Sequence, residues 1–116
     1  MTIDFRERIR RLYDETLAGD FSCVSEFFHA KYRSLTESGE DSPKAFIEGT
    51  KSLLDMYEIV DRTVLFTLGD EEHVGIVQHV KLRTRGRQSR LEQSLRADFY
   101  RIEDGQFIEH WGIPPL

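Results

Sequence analysis

The sequence predicts an α+β domain in which three N-terminal helices pack on an antiparallel sheet. Apolar residues recur every three or four positions through residues 3–17 and again through residues 43–59, the period of a helix with one buried face. From residue 61 onward the period becomes two, as in half-buried strands. Turn-forming clusters at Gly69-Asp70-Glu71-Glu72, Arg85-Gly86-Arg87-Gln88 and Asp104-Gly105 divide that second part into four strands. Helices followed by a meander of strands is the order of an α+β sandwich.

The first helix is expected over Ile3–Leu17, with Ile3, Phe5, Ile9, Leu12, Tyr13, Thr16 and Leu17 on one face and Arg and Glu on the other. Gly19 ends it, and Asp20 is a suitable N-cap for a short second helix carrying Val24, Phe27 and Phe28. A short strand is expected at Lys31–Leu35, then a polar loop over Thr36–Asp41. Ser42-Pro43, a cap residue followed by proline at the first helical position, opens a third helix running to about Ile59. Strands follow at Asp61–Leu68, His73–Thr84, Arg90–Arg101 and from Gln106 to about Ile113, where Pro114-Pro115 ends the last one. Asp104-Gly105 suits a type I′ hairpin turn.

At 116 residues the chain is read as one domain, residues 1–116. The apolar share of 39% and charged share of 32% suit a globular protein and exclude a disordered one. No apolar run approaches the ~20 residues of a membrane helix, and the charged N-terminus lacks the apolar core of a signal peptide. Net charge is −5 with both signs mixed along the chain, which argues against a general nucleic-acid binder. The basic cluster Lys81, Arg83, Arg85, Arg87 and Arg90 reads first as a solvated hairpin tip, with an anion or protein-partner patch as the alternative. Cys23 is the sole cysteine and sits in an apolar stretch, as a buried structural thiol does; a cytoplasmic location follows as an expectation.

Chemistry is expected on the third of the four strands. Arg96 and Asp98 stand two apart among apolar neighbours, and charged groups enter a half-buried sheet at a cost. A two-residue loop at Asp104-Gly105 sets Glu103 opposite Gln106, Tyr100 opposite Glu109 and Asp98 opposite Trp111. A two-residue loop at Gly86-Arg87 sets Arg96 opposite Val77 and His79 opposite Ser94. Val77, His79, Arg96, Asp98, Tyr100, Glu109 and Trp111 then share one face, with His110 on the other. A three-residue loop at Gly86 would move Val77 and His79 to the far face. The outer face is expected to carry Ile76, Val80, Leu82, Leu91, Leu95, Ala97 and Phe99, an apolar surface suited to a homodimer. No pair of histidines has metal-ligand spacing with a third donor, so no metal is expected. A buried Arg96–Asp98 ion pair in a plain scaffold is the competing structural reading.

The run ADFYRIEDGQFIEHW resembles the closing hairpin of the SnoaL-like polyketide cyclases, within the nuclear transport factor 2-like superfamily. LAGDFSCVSEFF is similar to that family's helix-Gly-Asp-helix corner, and TVLFTLGDEEHVGIVQHV to its central strands. The resemblance implies a cone-shaped roll: a strongly curved antiparallel sheet around a pocket closed by the helices, in a homodimer. It implies cofactor-free acid–base chemistry next to a carbonyl of a small apolar substrate. Asp98 is the position matching the cyclases' base, and also matches a protonated oxyanion donor in ketosteroid isomerases of the same fold. Tyr13 lies near the isomerases' oxyanion-binding tyrosine. The catalytic candidates are therefore Asp98, His79 and Arg96, and the substrate-binding ones Trp111, Tyr100, Val77, Tyr13, Phe28 and Tyr57. Arg96-x-Asp98 also resembles the limonene epoxide hydrolases. Their aspartate after the closing tryptophan, which many SnoaL-like proteins share, is replaced here by Gly112. A non-catalytic ligand-binding protein or dimeric scaffold is the alternative function.

Overall fold

A computed structural model describes residues 3–34 and 42–113. Helix α1 spans Phe5–Thr16, α2 Val24–Phe27 and α3 Pro43–Met56; strands β1 to β5 span Phe28–Ser34, Tyr57–Gly69, His73–Thr84, Leu91–Glu103 and Gln106–Ile113. The expected loop over Thr36–Asp41, Leu35 and the terminal prolines lie outside the described residues.

Asp4 starts α1 by accepting from the backbone N–H groups of Arg6 and Glu7 at 3.1 and 3.4 Å, a cap worth about 1 kcal/mol. Ile3 therefore precedes the helix, whose buried face is Phe5, Ile9, Leu12, Tyr13 and Thr16. Gly19 reverses the chain at φ +91°. Asp20 does not cap α2 as expected. Its carboxylate accepts from Ser22 N and Oγ, at 3.0 and 2.7 Å, and so closes the corner, while α2 begins at Val24. Ser42 Oγ accepts from Ala45 N at 3.1 Å and Pro43 sits in the first turn of α3, as read from the sequence. That helix stops at Met56 rather than Ile59. Arg85 captures its end by donating N–H to Met56 O and Nε to Leu54 O, each at 3.0 Å, and the β-branched Ile59-Val60 continues as strand.

The five strands form one unclosed, curved sheet in the order β1-β5-β4-β3-β2. The sheet is mixed rather than wholly antiparallel, because β1 enters at the edge beside β5 and runs parallel to it, with Phe28 opposite Phe107 and Ser34 opposite His110. The chain then reaches β2 at the opposite edge through α3, so the helical layer covers one sheet face. Its aromatic centre is Phe28, whose ring lies 4.5 Å from Tyr32, 4.9 Å from Phe46, and 6.1 and 6.0 Å from Tyr100 and Phe107. Each such pair contributes about 1 kcal/mol beyond burial.

Both hairpins decide which residues meet the helices. Asp104 and Gly105 both have positive φ, 54° and 75°, as a type I′ turn requires. Glu103 pairs with Gln106 and Ile102 with Phe107, but Arg101 then pairs with Glu109. Ile108 is an extra residue, a β-bulge, and beyond it the register moves by one. Tyr100 thus faces His110, not Glu109, and Asp98 faces Gly112, not Trp111. At the other hairpin, Thr84 N donates to Arg90 O at 3.0 Å, so the loop is residues 85–89 rather than a two-residue turn. Val77 pairs with Ala97 and His79 with Leu95, again one position from expectation.

The inner face of β3 is consequently Val74, Ile76, Gln78, Val80 and Leu82, all buried. Ile76, Val80 and Leu82 are core residues, which corrects their expected place on the outer face. Outside lie Val77, His79, Leu95, Ala97, Phe99 and Trp111. A Cβ on Gly75 would approach the Phe99 ring to 2.4 Å, so the glycine is what lets Phe99 lie across β3.

Candidate functional site

Between the helices and the inner sheet face lies a cavity of about 220 Å³. Leu17 and Phe46 contribute apolar wall from the helices, with Leu53; Ile59 and Val80 contribute it from the sheet. Its polar lining is Tyr13, Gln78, Arg96, Asp98 and His110, with Thr50 from α3.

Asp98 and His110 form a buried pair: Nε2 of His110 lies 2.7 Å from Asp98 Oδ1. Such a contact with a carboxylate places a proton on Nε2. In the neutral ring Nδ1 then accepts from Ser34 Oγ, 3.4 Å away on β1. The His110 ring is also stacked on Tyr100, centroids 4.6 Å apart at 24°. Three strands, β1, β4 and β5, thus fix one imidazole. The second oxygen of Asp98 accepts no hydrogen bond from a described residue.

Next to this pair, the Tyr13 and Tyr100 hydroxyls are 2.8 Å apart. Burial pushes both phenols well above the ordinary tyrosine range; the Asp98 charge adds to it at Tyr13, as do the charges of Tyr13, Tyr32 and Asp98 at Tyr100. Both therefore remain O–H groups at physiological pH. With Tyr100 donating to Tyr13, the Tyr13 proton is available to the cavity. On the other flank Arg62 on β2 donates Nη1 to Gln78 Oε1 at 2.5 Å and is ion-paired with Asp14 of α1.

The structure brings Asp98, Arg96 and Tyr13 to the cavity, with Tyr100 behind it bonded to the Tyr13 hydroxyl, and does not bring the other candidates there. His79 points outward and bonds Gln93 Oε1 at 3.0 Å. Val77 faces Ala97 on the same outer surface. The Trp111 ring lies on the outer face, 6.5 Å from His73. In each case a one-residue register difference moves the side chain through the sheet. Phe28 belongs to the aromatic core, and Tyr57 opens β2 opposite Thr84; neither lines the cavity. Arg96 and Asp98 do not pair with each other, since Asp98 takes His110.

Sequence reasoning missed His110, Gln78 and Arg62. Two signals existed. Adjacent Phe107-Ile108 breaks the period of two in β5, and the even-numbered residues of β3 are more apolar than the odd ones. Cys23 is buried, and burial together with Glu15 pushes its thiol up to about 12, so it stays a packing residue. Among the described residues no three His, Cys, Asp or Glu side chains are grouped to hold a metal ion. Nor is any described helix long and apolar enough to cross a membrane.

No protein-family model matches the sequence, and no curated protein sequence matches it. Solved structures do. A protein assigned as a SnoaL-like polyketide cyclase from Jannaschia sp. CCS1 superimposes with a TM-score of 0.82 at 17% identity, over 97% of this chain and 88% of that one. TsrD from Streptomyces laurentii gives 0.76 at 19% identity, covering 97% of this chain and 90% of its own. A hypothetical protein with a ketosteroid isomerase-like fold from Catenulispora acidiphila, in complex with trimethylamine, gives 0.73 at 14% identity over 93% and 85%. The chain has the SnoaL-like, nuclear transport factor 2-like fold.

Proposed function

We propose that the cavity is a small-molecule pocket in which Asp98 moves a proton next to a carbonyl group, without a cofactor. The observation that carries this reading is the Asp98–His110 pair, buried, 2.7 Å across and opening on a cavity walled by apolar side chains. The free Asp98 oxygen takes the proton from carbon. The C–H electron pair forms a C=C bond, the C=O π pair moves to the oxygen of the resulting enolate, and the Tyr13 O–H donates a hydrogen bond to that oxygen. His110 holds the carboxylate in place through Nε2. The position across from Asp98 on β5 is Gly112, where limonene epoxide hydrolases and many SnoaL-like proteins carry a second carboxylate.

Exchange of a ketone's α-protons tests the reading. Tetralone in deuterated buffer exchanges faster with the protein than without it, and Asp98→Asn abolishes the excess while retaining the fold. An asparagine still accepts from His110 but cannot take the proton. Equal exchange by wild type and variant contradicts the role of Asp98. The absence of Asp at position 112 favours a second reading, ligand binding without turnover. It predicts saturable binding of the ketone and no exchange.

We also infer that the outer sheet face pairs two copies of the chain. It presents Phe66 and Leu68, 52% and 43% exposed, beside Val77, Phe99 and Trp111, an apolar surface of the kind subunits cover. Light scattering should give twice the chain mass, and Phe66→Glu with Leu68→Glu should give the chain mass; a monomeric wild type contradicts the inference.

A further inference from the structure

We propose that the natural occupant of the cavity is a small organic anion, whose carboxylate is held by Arg96 and Gln78. The proposal rests on reading the cavity as a small-molecule site and adds the class of molecule. Arg96 and Asp98 are the charged residues that line it. Among the described residues, Asp98 bonds His110 through one oxygen and makes no ion pair with Arg96, and Asp14 takes Arg62. Arg96 makes no hydrogen bond or ion pair with any described residue, although it is part-buried and faces the cavity. A guanidinium drawn out of bulk water needs an acceptor, and a carboxylate matches its planar donors in two parallel bonds.

Gln78 supplies the second donor. It stands directly opposite Arg96 across the β3–β4 ladder and is 1% exposed. Arg62 occupies its Oε1, which orients the amide and turns the NH2 group away from Arg62. A buried amide that lines the cavity with its acceptor engaged has its NH2 group left for an acceptor in the occupant. The two donors lie on strand positions about 5 Å apart, a spacing that one carboxylate bridges.

The same strand fixes where chemistry would fall. Asp98 is two residues from Arg96 on β4, about 7 Å along the strand. A carboxylate seated on Arg96 and Gln78 therefore brings an atom a few bonds away to Asp98. This describes a small keto acid or aryl-substituted acid with an acidic C–H beyond the carboxylate, its apolar body against Phe46 and Leu53.

Calorimetric titration of the full chain with naphthoate and with naphthamide, equal in shape and different in charge, tests the proposal. The acid should bind about tenfold or more tightly than the amide, the worth of one charge-assisted hydrogen bond. Arg96→Gln should remove the difference, Arg96→Lys should keep part of it, and Asp98→Asn should leave it in place or enlarge it. Equal binding of acid and amide by the wild type, a preference that survives Arg96→Gln, or no binding of the acid at millimolar concentration each overturns the proposal. The two readings fail separately: loss of Asp98-dependent exchange leaves the acid preference standing, and loss of the preference leaves the exchange standing.

Discussion

Asp98 and Glu109 are carboxylates on neighbouring strands, 9% and 8% exposed, and they are treated in opposite ways. Glu109, on the outer face, is clamped by two guanidiniums: Arg33 Nη2 lies 3.1 Å from Oε2, and Arg101 Nε bonds Oε1. Both its oxygens are occupied, and the Arg101 hydrogen bond, with Arg33, holds its carboxyl below the usual glutamate value of 4.5. Asp98, on the inner face, has one partner among the described residues, an imidazole, which bonds one of its two oxygens beside the cavity. A carboxylate held by two arginines fastens strands together. One held by a single imidazole beside a cavity keeps an oxygen that an occupant could reach. The difference is made by Ile108, whose bulge sets Glu109 outward and His110 inward on adjacent positions of β5.

Removing partners sharpens the contrast. His110→Ala leaves the buried Asp98 carboxylate without its donor, strips the stack on Tyr100, and is expected to cost about 3 kcal/mol. Urea unfolding should show this as a lower midpoint with an unchanged slope. An unchanged midpoint would mean that the pair contributes nothing to the fold.

Glu109→Gln is expected to cost less, up to about 1 kcal/mol at neutral pH, since Arg33 and Arg101 are partly in water and the pairs are screened. Its signature is in the pH dependence. The folded-state pKa of Glu109 is lowered, so the stabilisation is fully present above the unfolded value near pH 4.5 and disappears as pH falls through the lower folded value. Wild type and Glu109→Gln should therefore converge in acid. A gap that persists well below pH 4 would assign the cost to packing instead of charge.

Much of this arrangement was legible in the sequence. The bounds of β3 and β5, the Ser42-Pro43 helix start, the Asp104-Gly105 turn, and the shared face of Arg96, Asp98 and Tyr100 follow from periodicity and turn chemistry. Residues on one strand keep their relation whatever the register, which is why Arg96 and Asp98 were found. Residues joined across a hairpin do not. A five-residue reversal at 85–89 exchanged His79 for Gln78, and a bulge at Ile108 exchanged Trp111 for His110. Both events arise from pairing geometry that short stretches of sequence record weakly, and each passes a functional side chain through the sheet.

The most direct measurement sets the two carboxylates against each other. Base-promoted ring opening of nitrobenzisoxazole transfers a proton from carbon to the base as the N–O bond breaks, giving a nitrile and a coloured phenolate on one ring. Its rate is compared for wild type, Asp98→Asn and Glu109→Gln at neutral pH. With Asp98 as the base, Asp98→Asn lowers the protein-dependent rate by about a hundredfold or more, and Glu109→Gln stays within about twofold of wild type. Equal rates for wild type and Asp98→Asn, or a loss as large in Glu109→Gln, would contradict the assignment of proton transfer to the inner face.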